Sequence, residues 1–281
     1  MTLPAEVGRV VTRYLALVDA AAPGVVEGLY LVGSVALGDF HPRTSDVDFI
    51  AASSAPVNEI SRQALASVHA DLAAEASLPA FEGIYVTFDE LTRSPANTAG
   101  PVHHDRQLTV GPGGRSPVEW ATLAWHGVPV RGPDPAGLCV HADAAELTAW
   151  TLENLDRYWT RWITQSKDPA TRTAMAMLTD WGVAWGVLGV SRQHYTVATG
   201  QITSKTGAGR YALGRFPARW HGVIEEALRC RPEPVSAPDP DGAPWRRGRQ
   251  AVAFMEAAAE DCRRLGEARP GPAEQAGEGT Q

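Results

Sequence analysis

The sequence predicts an α/β domain, of the α+β kind with a mixed twisted sheet, followed by an α-helical bundle. Two observations carry this expectation. In the first half, short apolar runs rich in β-branched and aromatic residues alternate with stretches of helical periodicity. Beyond the cluster Gly132-Pro133-Asp134-Pro135 such runs stop, and large apolar residues recur among charged ones at helical spacing. A chain of 281 residues suits two modest domains. The expected boundaries are 1–134, 135–265 and a polar, disordered tail over 266–281.

The elements follow in order. Residues 4–21 place Val7, Val10, Val11, Tyr14, Leu15 and Val18 on one helical side, with Pro4 suited to a first turn and Pro23-Gly24 as the stop. Leu29, Tyr30, Leu31 and Val32 form the first strand, ending at Gly33-Ser34 and a short helical stretch to Phe40. His41-Pro42-Arg43 turns into a second strand over 46–52, and 56–76 reads as helix. Residues 80–88 are β-rich. Residues 93–117 hold many Gly, Pro and His with little periodicity, and are expected as loop with short elements. A helix over 118–126 and a short strand over 128–131 close the domain. In the second domain, helices are expected over 143–166, from 168 toward 190, over 217–229 and over 245–265, with a proline-rich linker at 232–244.

Composition narrows the function. A net charge of −7 argues against a large phosphate-backbone surface, where Lys and Arg should dominate, and suits a cationic partner. Cys139, Cys230 and Cys262 are far apart without metal-ligand spacing, as expected of reduced thiols in a cytoplasmic protein. No secretion signal and no run of ~20 apolar residues is apparent. Neither membrane nor nucleic acid is an expected partner, and a monomer is expected. His103-His104-Asp105, in a Gly/Pro-rich loop, reads as solvent-facing rather than as a metal site. Gly111-Pro112-Gly113-Gly114-Arg115 lacks the Lys-Ser/Thr of a P-loop and reads as a flexible turn.

The chemistry concentrates in LYLVGSVALGDFHPRTSDVDFIA, residues 29–51. Eleven residues separate Ser34 from Asp46, and Asp46 and Asp48 flank a single Val. In a strand, positions i and i+2 share a face, so the two carboxylates would project together. A hard divalent cation such as magnesium is held by one or two carboxylates plus substrate phosphates. Gly33-Ser34 at a strand end lets backbone N–H groups approach a phosphate with no Cβ in the way. The bland alternative is a surface hairpin with two solvated aspartates; coincidence of Gly-Ser, spacer, Ser-Asp-x-Asp and apolar strand argues against it.

This pattern resembles the nucleotidyltransferase superfamily typified by DNA polymerase β, and within it the small antibiotic and minimal nucleotidyltransferases. The family's chemistry implies a third acid on an adjacent strand. Within AFEGIYVTF, residues 80–88, Glu82 is the candidate, with the parity of Ile84, Val86 and Phe88. An acid at that parity is unfavourable unless paired or bound to metal. Asp89 and Glu90 look more like a helix start. The segment around Glu82 is similar to the strand bearing the catalytic glutamate of the streptomycin/spectinomycin-type aminoglycoside adenylyltransferases, which implies that Glu82 is the base; as the family's third acid it is also expected to help hold the metal with Asp46 and Asp48. A further resemblance lies in SRQHYTVATGQITSK, residues 191–205, and implies that Arg192 and Lys205 bind the ATP phosphates.

The same family presents an aspartate to its drug. The ungapped match here is Gly182, and Asp180, two residues earlier, is the expected substitute; Glu146, Glu153 and Asp156 read as a solvated helix face. Trp120 and Trp125 lie in the broad region of a drug-stacking tryptophan, although nine tryptophans first indicate core packing. The resemblance therefore implies a Mg²⁺-dependent transfer of AMP from ATP to an aminoglycoside or aminocyclitol hydroxyl, in a cleft between the domains. Two alternatives stand beside it: an adenylyltransferase with a protein or other small-molecule acceptor, and a non-enzymatic nucleotide-sensing protein.

Overall fold

The computed structural model describes residues 3–231 and 244–268, in two compact units, Met1–Asp143 and Ala144–Gln281. Apart from Pro244, the expected linker lies outside the described residues, as does the expected tail beyond Ala268. The first unit ends later than the Pro/Gly cluster because the following segment still packs on it. Leu138 and Val140 rest on its core, and the His141 N–H donates to the Leu91 carbonyl at 2.8 Å.

The first unit runs α1 (Ala5–Ala21), β1 (Gly28–Leu31), α2 (Gly33–Ala36), β2 (Val47–Ser53), α3 (Glu59–Ala74), β3 (Phe81–Thr87), α4 (Phe88–Leu91), β4 (Gly100–His104), β5 (Gln107–Gly111), α5 (Pro117–His126) and β6 (Val128–Arg131). The sheet has six strands in the order β5-β4-β3-β2-β1-β6. The β2–β3 pair is parallel and the other pairs are antiparallel, which makes the sheet mixed, as expected.

Both faces are covered, and strand alternation divides the apolar residues between them. Leu29, Leu31, Val47, Phe49, Ala51, Phe81 and Tyr85 meet α1 and α3. Tyr30, Val32, Ile50, Ala52, Ile84 and Val86 meet Trp120 and Leu123 of α5. The even-numbered residues of β2 and β3 therefore face α5, and Asp48 and Glu82 share that parity.

The β4–β5 hairpin falls in the segment expected as loop. Its two-residue turn is Asp105-Arg106, with φ of 48° and 61°. Such turns favour Asn-Gly or Asp-Gly because both central residues are left-handed; Asp-Arg carries only half of that signature. Asp89 and Glu90 do begin a helix: Thr87 and Glu90 form a capping box at α4.

The second unit runs α6 (Ala144–Asn154), a π-helical turn (Leu155–Trp159), α7 (Thr160–Ser166), α8 (Arg172–Ala176), α9 (Asp180–Thr199), α10 (Lys205–Arg215), α11 (His221–Arg229) and α12 (Pro244–Glu267). Helix α9 is buried along most of its length and anchors the core with Leu155, Trp159, Ile224, Phe254 and Met255. Gly189 admits Trp159: a Cβ there would stand 2.0 Å from the indole. The single helix expected from 168 toward 190 is instead two, because Thr171 and Thr179 each cap a new start. No described helix is long and apolar enough to cross a membrane.

Candidate active site

The site begins where β1 ends. The Val32 N–H donates to the Asp48 carbonyl at 3.0 Å, tying the end of β1 to β2. Gly33 then turns with φ +57°, a conformation that disfavours any side chain. It also lies against Asp48: a Cβ built on Gly33 would be 1.9 Å from Asp48 Oδ2 and 2.7 Å from its Cγ. Ser34 follows in the first turn of α2, where backbone N–H groups have no acceptor within the helix. Its hydroxyl oxygen is buried and has no hydrogen-bond partner among the described residues.

The loop to β2 is closed just before the acids. The His41 N–H donates to Ser45 Oγ at 3.0 Å, and the Ser45 N–H returns to the His41 carbonyl at 2.8 Å. Asp46 comes next and is exposed; the strand itself starts at Val47, one residue later than expected. Asp48 is half-buried on the α5 face. In the parallel pairing of β2 with β3, Asp48 and Glu82 are direct register partners, on adjacent strands with the same parity.

Glu82 is held by the β4–β5 hairpin. The Asp105 N–H donates to Glu82 Oε1 at 2.9 Å, and His104 Nδ1 contacts Glu82 Oε2. The motif His103-His104-Asp105 was legible in the sequence, but its link to Glu82 depends on an antiparallel pairing that the sequence did not signal. The expectation that both histidines face solvent is corrected for His103. It is 6% exposed, bonds the Phe81 carbonyl at 2.9 Å through Nδ1, and stacks on His69 with ring centroids 3.6 Å apart. Burial pushes the His69 imidazole down to about 3 and lowers that of His103, so both rings sit neutral beneath the sheet.

Trp120 is 1% exposed and packs in the sheet core, which gives it a structural place, whereas Trp125 is half-buried. In the second unit, Arg192 lies on α9 and is half-buried. Lys205 opens α10 behind the Ser204 cap, with Nζ 4.6 Å from the centroid of the Trp185 ring. Asp180 opens α9, and its carboxylate accepts from Arg247 Nη1 at 2.6 Å. The same guanidinium reaches Glu226 at 3.1 Å and the Leu178 carbonyl at 3.0 Å, so Asp180 belongs to an ion-pair cluster joining α9, α11 and α12.

The cluster in the first unit suits a metal–triphosphate. Asp48 and Glu82 are register partners on adjacent strands, Asp46 precedes Asp48 by two residues, the Gly33 backbone lies directly against the Asp48 carboxylate, and the buried Ser34 hydroxyl lacks a partner among the described residues. Residues 16–92 match the family model of the nucleotidyltransferase domain, and residues 174–243 match that of the aminoglycoside adenylyltransferase C-terminal domain. No curated protein matches the chain. Among solved structures, spectinomycin adenyltransferase AAD(9) from Enterococcus faecialis, solved with ATP and spectinomycin, is similar in fold. It is 14% identical, with a TM-score of 0.63 over 90% of this chain and 99% of that chain.

Proposed function

Since the chain belongs to the aminoglycoside adenylyltransferase family of nucleotidyltransferases, we propose that it moves AMP from ATP to a hydroxyl of an aminoglycoside or aminocyclitol antibiotic. The observation that carries the reading is the register pairing of Asp48 with Glu82, with Gly33 against Asp48. It sets two carboxylates side by side on adjacent strands, with the Gly33 backbone directly against one of them.

Asp46 and Asp48 would hold Mg²⁺ with Glu82 adjacent, and the ion would neutralise and orient the triphosphate. Gly33 and Ser34 would hold the outer phosphates, through backbone N–H groups that no Cβ shields at Gly33 and through the Ser34 hydroxyl. Glu82 takes the proton from the acceptor hydroxyl as its oxygen attacks the α-phosphorus in line. The bond from that phosphorus to the bridging oxygen breaks, AMP is transferred and pyrophosphate leaves. Arg192 and Lys205 stabilise the charge growing on the leaving group. The acidic balance of the chain favours a cationic acceptor.

Incubation with ATP, magnesium and a panel of aminoglycosides and aminocyclitols, read by mass spectrometry, tests the proposal. One or more drugs should gain AMP. A panel left wholly unmodified by folded protein that still binds ATP would contradict the drug acceptor and favour a protein acceptor.

A further inference from the structure

Glu82 sits at the second residue of β3. A carboxylate there has three side-chain torsions, and a general base must come within about 2.6–3.2 Å of the proton it takes. Something has to fix its direction. β4 lies antiparallel to β3, with Gly83 opposite His103 and Ile84 opposite Val102. This register carries the end of the hairpin past Glu82. His104 pairs with Gln107, so only Asp105 and Arg106 separate the strands, and the left-handed backbone of both turns the chain at once. The Asp105 N–H is thereby directed back onto Glu82 Oε1, and the His104 imidazole onto Oε2.

We infer that His104 is a positioning residue for nucleotidyl transfer: with the Asp105 N–H it clamps the Glu82 carboxylate in the orientation from which it receives the acceptor proton. The inference rests on the reading of Glu82 as the base. A carboxylate offers about four lone-pair sites. Two donors from one rigid turn occupy one site on each oxygen and leave the others for the acceptor hydroxyl and the metal side. The imidazole contributes little to the fold, since its side chain is 78% exposed against 18% for that of Glu82. Its effect on catalysis is therefore separable from folding.

The test compares His104→Ala, His104→Asn and Glu82→Gln with the wild type in steady-state adenylylation. His104→Ala should lower kcat by roughly ten- to a hundredfold, the scale of a misplaced reacting group. KM for ATP and for the acceptor should stay within about twofold, and the melting temperature should not move. His104→Asn puts an amide N–H near the place of Nδ1 and should restore most of the rate. A wild-type kcat in His104→Ala beside an inactive Glu82→Gln would overturn the positioning role and leave the base assignment standing. An Asn variant as slow as the Ala variant would also overturn it. Full activity in Glu82→Gln would remove the base assignment and this inference with it.

Discussion

A Cβ on Gly33 would stand 1.9 Å from the Asp48 carboxylate oxygen, so the end of β1 and the acid of β2 fit only while position 33 is glycine. The backbone there is left-handed, which costs about 1–2 kcal/mol for an L-residue with a side chain. Gly33→Ala should therefore lose modest stability and much more activity, because the Asp48 side chain must swing from its place. Thermal melting and turnover check this together. An alanine variant with unchanged turnover would remove Gly33 from the site.

Asp46→Asn and Asp48→Asn each delete one proposed magnesium ligand. Transfer should be abolished in both while the circular dichroism spectrum stays that of the folded protein. Turnover near the wild-type value in either variant would rule out that ligand.

Lys205→Ala and Arg192→Ala should weaken ATP–Mg²⁺ binding in titration calorimetry. A cationic acceptor gains an anionic neighbour once ATP is bound, so acceptor affinity should rise with a non-hydrolysable ATP analogue present. By linkage, ATP affinity should rise by the same factor with acceptor bound, and Lys205→Ala should reduce that factor. Acceptor binding that ignores nucleotide would contradict the coupling.

Asp180 bonds Arg247 at 2.6 Å, within the cluster that joins α9, α11 and α12. Asp180→Asn should lower the melting temperature and leave the acceptor KM unchanged. A raised acceptor KM at constant melting temperature would instead make Asp180 a drug ligand.

His69 and His103 stack as neutral rings, with His69 Nε2 bonded to the Tyr85 hydroxyl at 2.8 Å. Burial holds the His69 value at about 3, against an unfolded value near 6.5. Between those limits the unfolded chain binds more protons, so stability rises with pH there. The contribution is complete above about pH 6.5 and is lost as pH falls toward 3. Melting temperature should drop from pH 7 to pH 5, and His69→Phe should flatten that slope. An equal slope in the variant would exclude His69 as a source.

The parts of this structure set by local chemistry were readable from the chain. Apolar alternation marked the strands around Tyr30, Phe49 and Tyr85, and the Gly33-Ser34 and Asp46-Val47-Asp48 spacings marked the candidate site at the ends of β1 and β2. What escaped reading depends on partners distant in sequence or on weak local signals. The β4–β5 hairpin turns on Asp105-Arg106 rather than a glycine pair. The break before α9 relies on Thr179 accepting from the Gly182 N–H, a cap hidden inside an apolar run. His104 meets Glu82 only because β4 pairs with β3, and Asp180 meets Arg247 across 67 positions of sequence.

The division of labour at Asp48 and Glu82 is most directly tested in Glu82→Gln, which keeps the shape of the side chain and removes the proton acceptor. Calorimetry should show ATP–Mg²⁺ affinity close to that of the wild type, while turnover falls by ~10²–10⁴-fold, the usual worth of a positioned base. Undiminished turnover, or a loss of ATP–Mg²⁺ binding that accounts for the lost rate, would contradict the account.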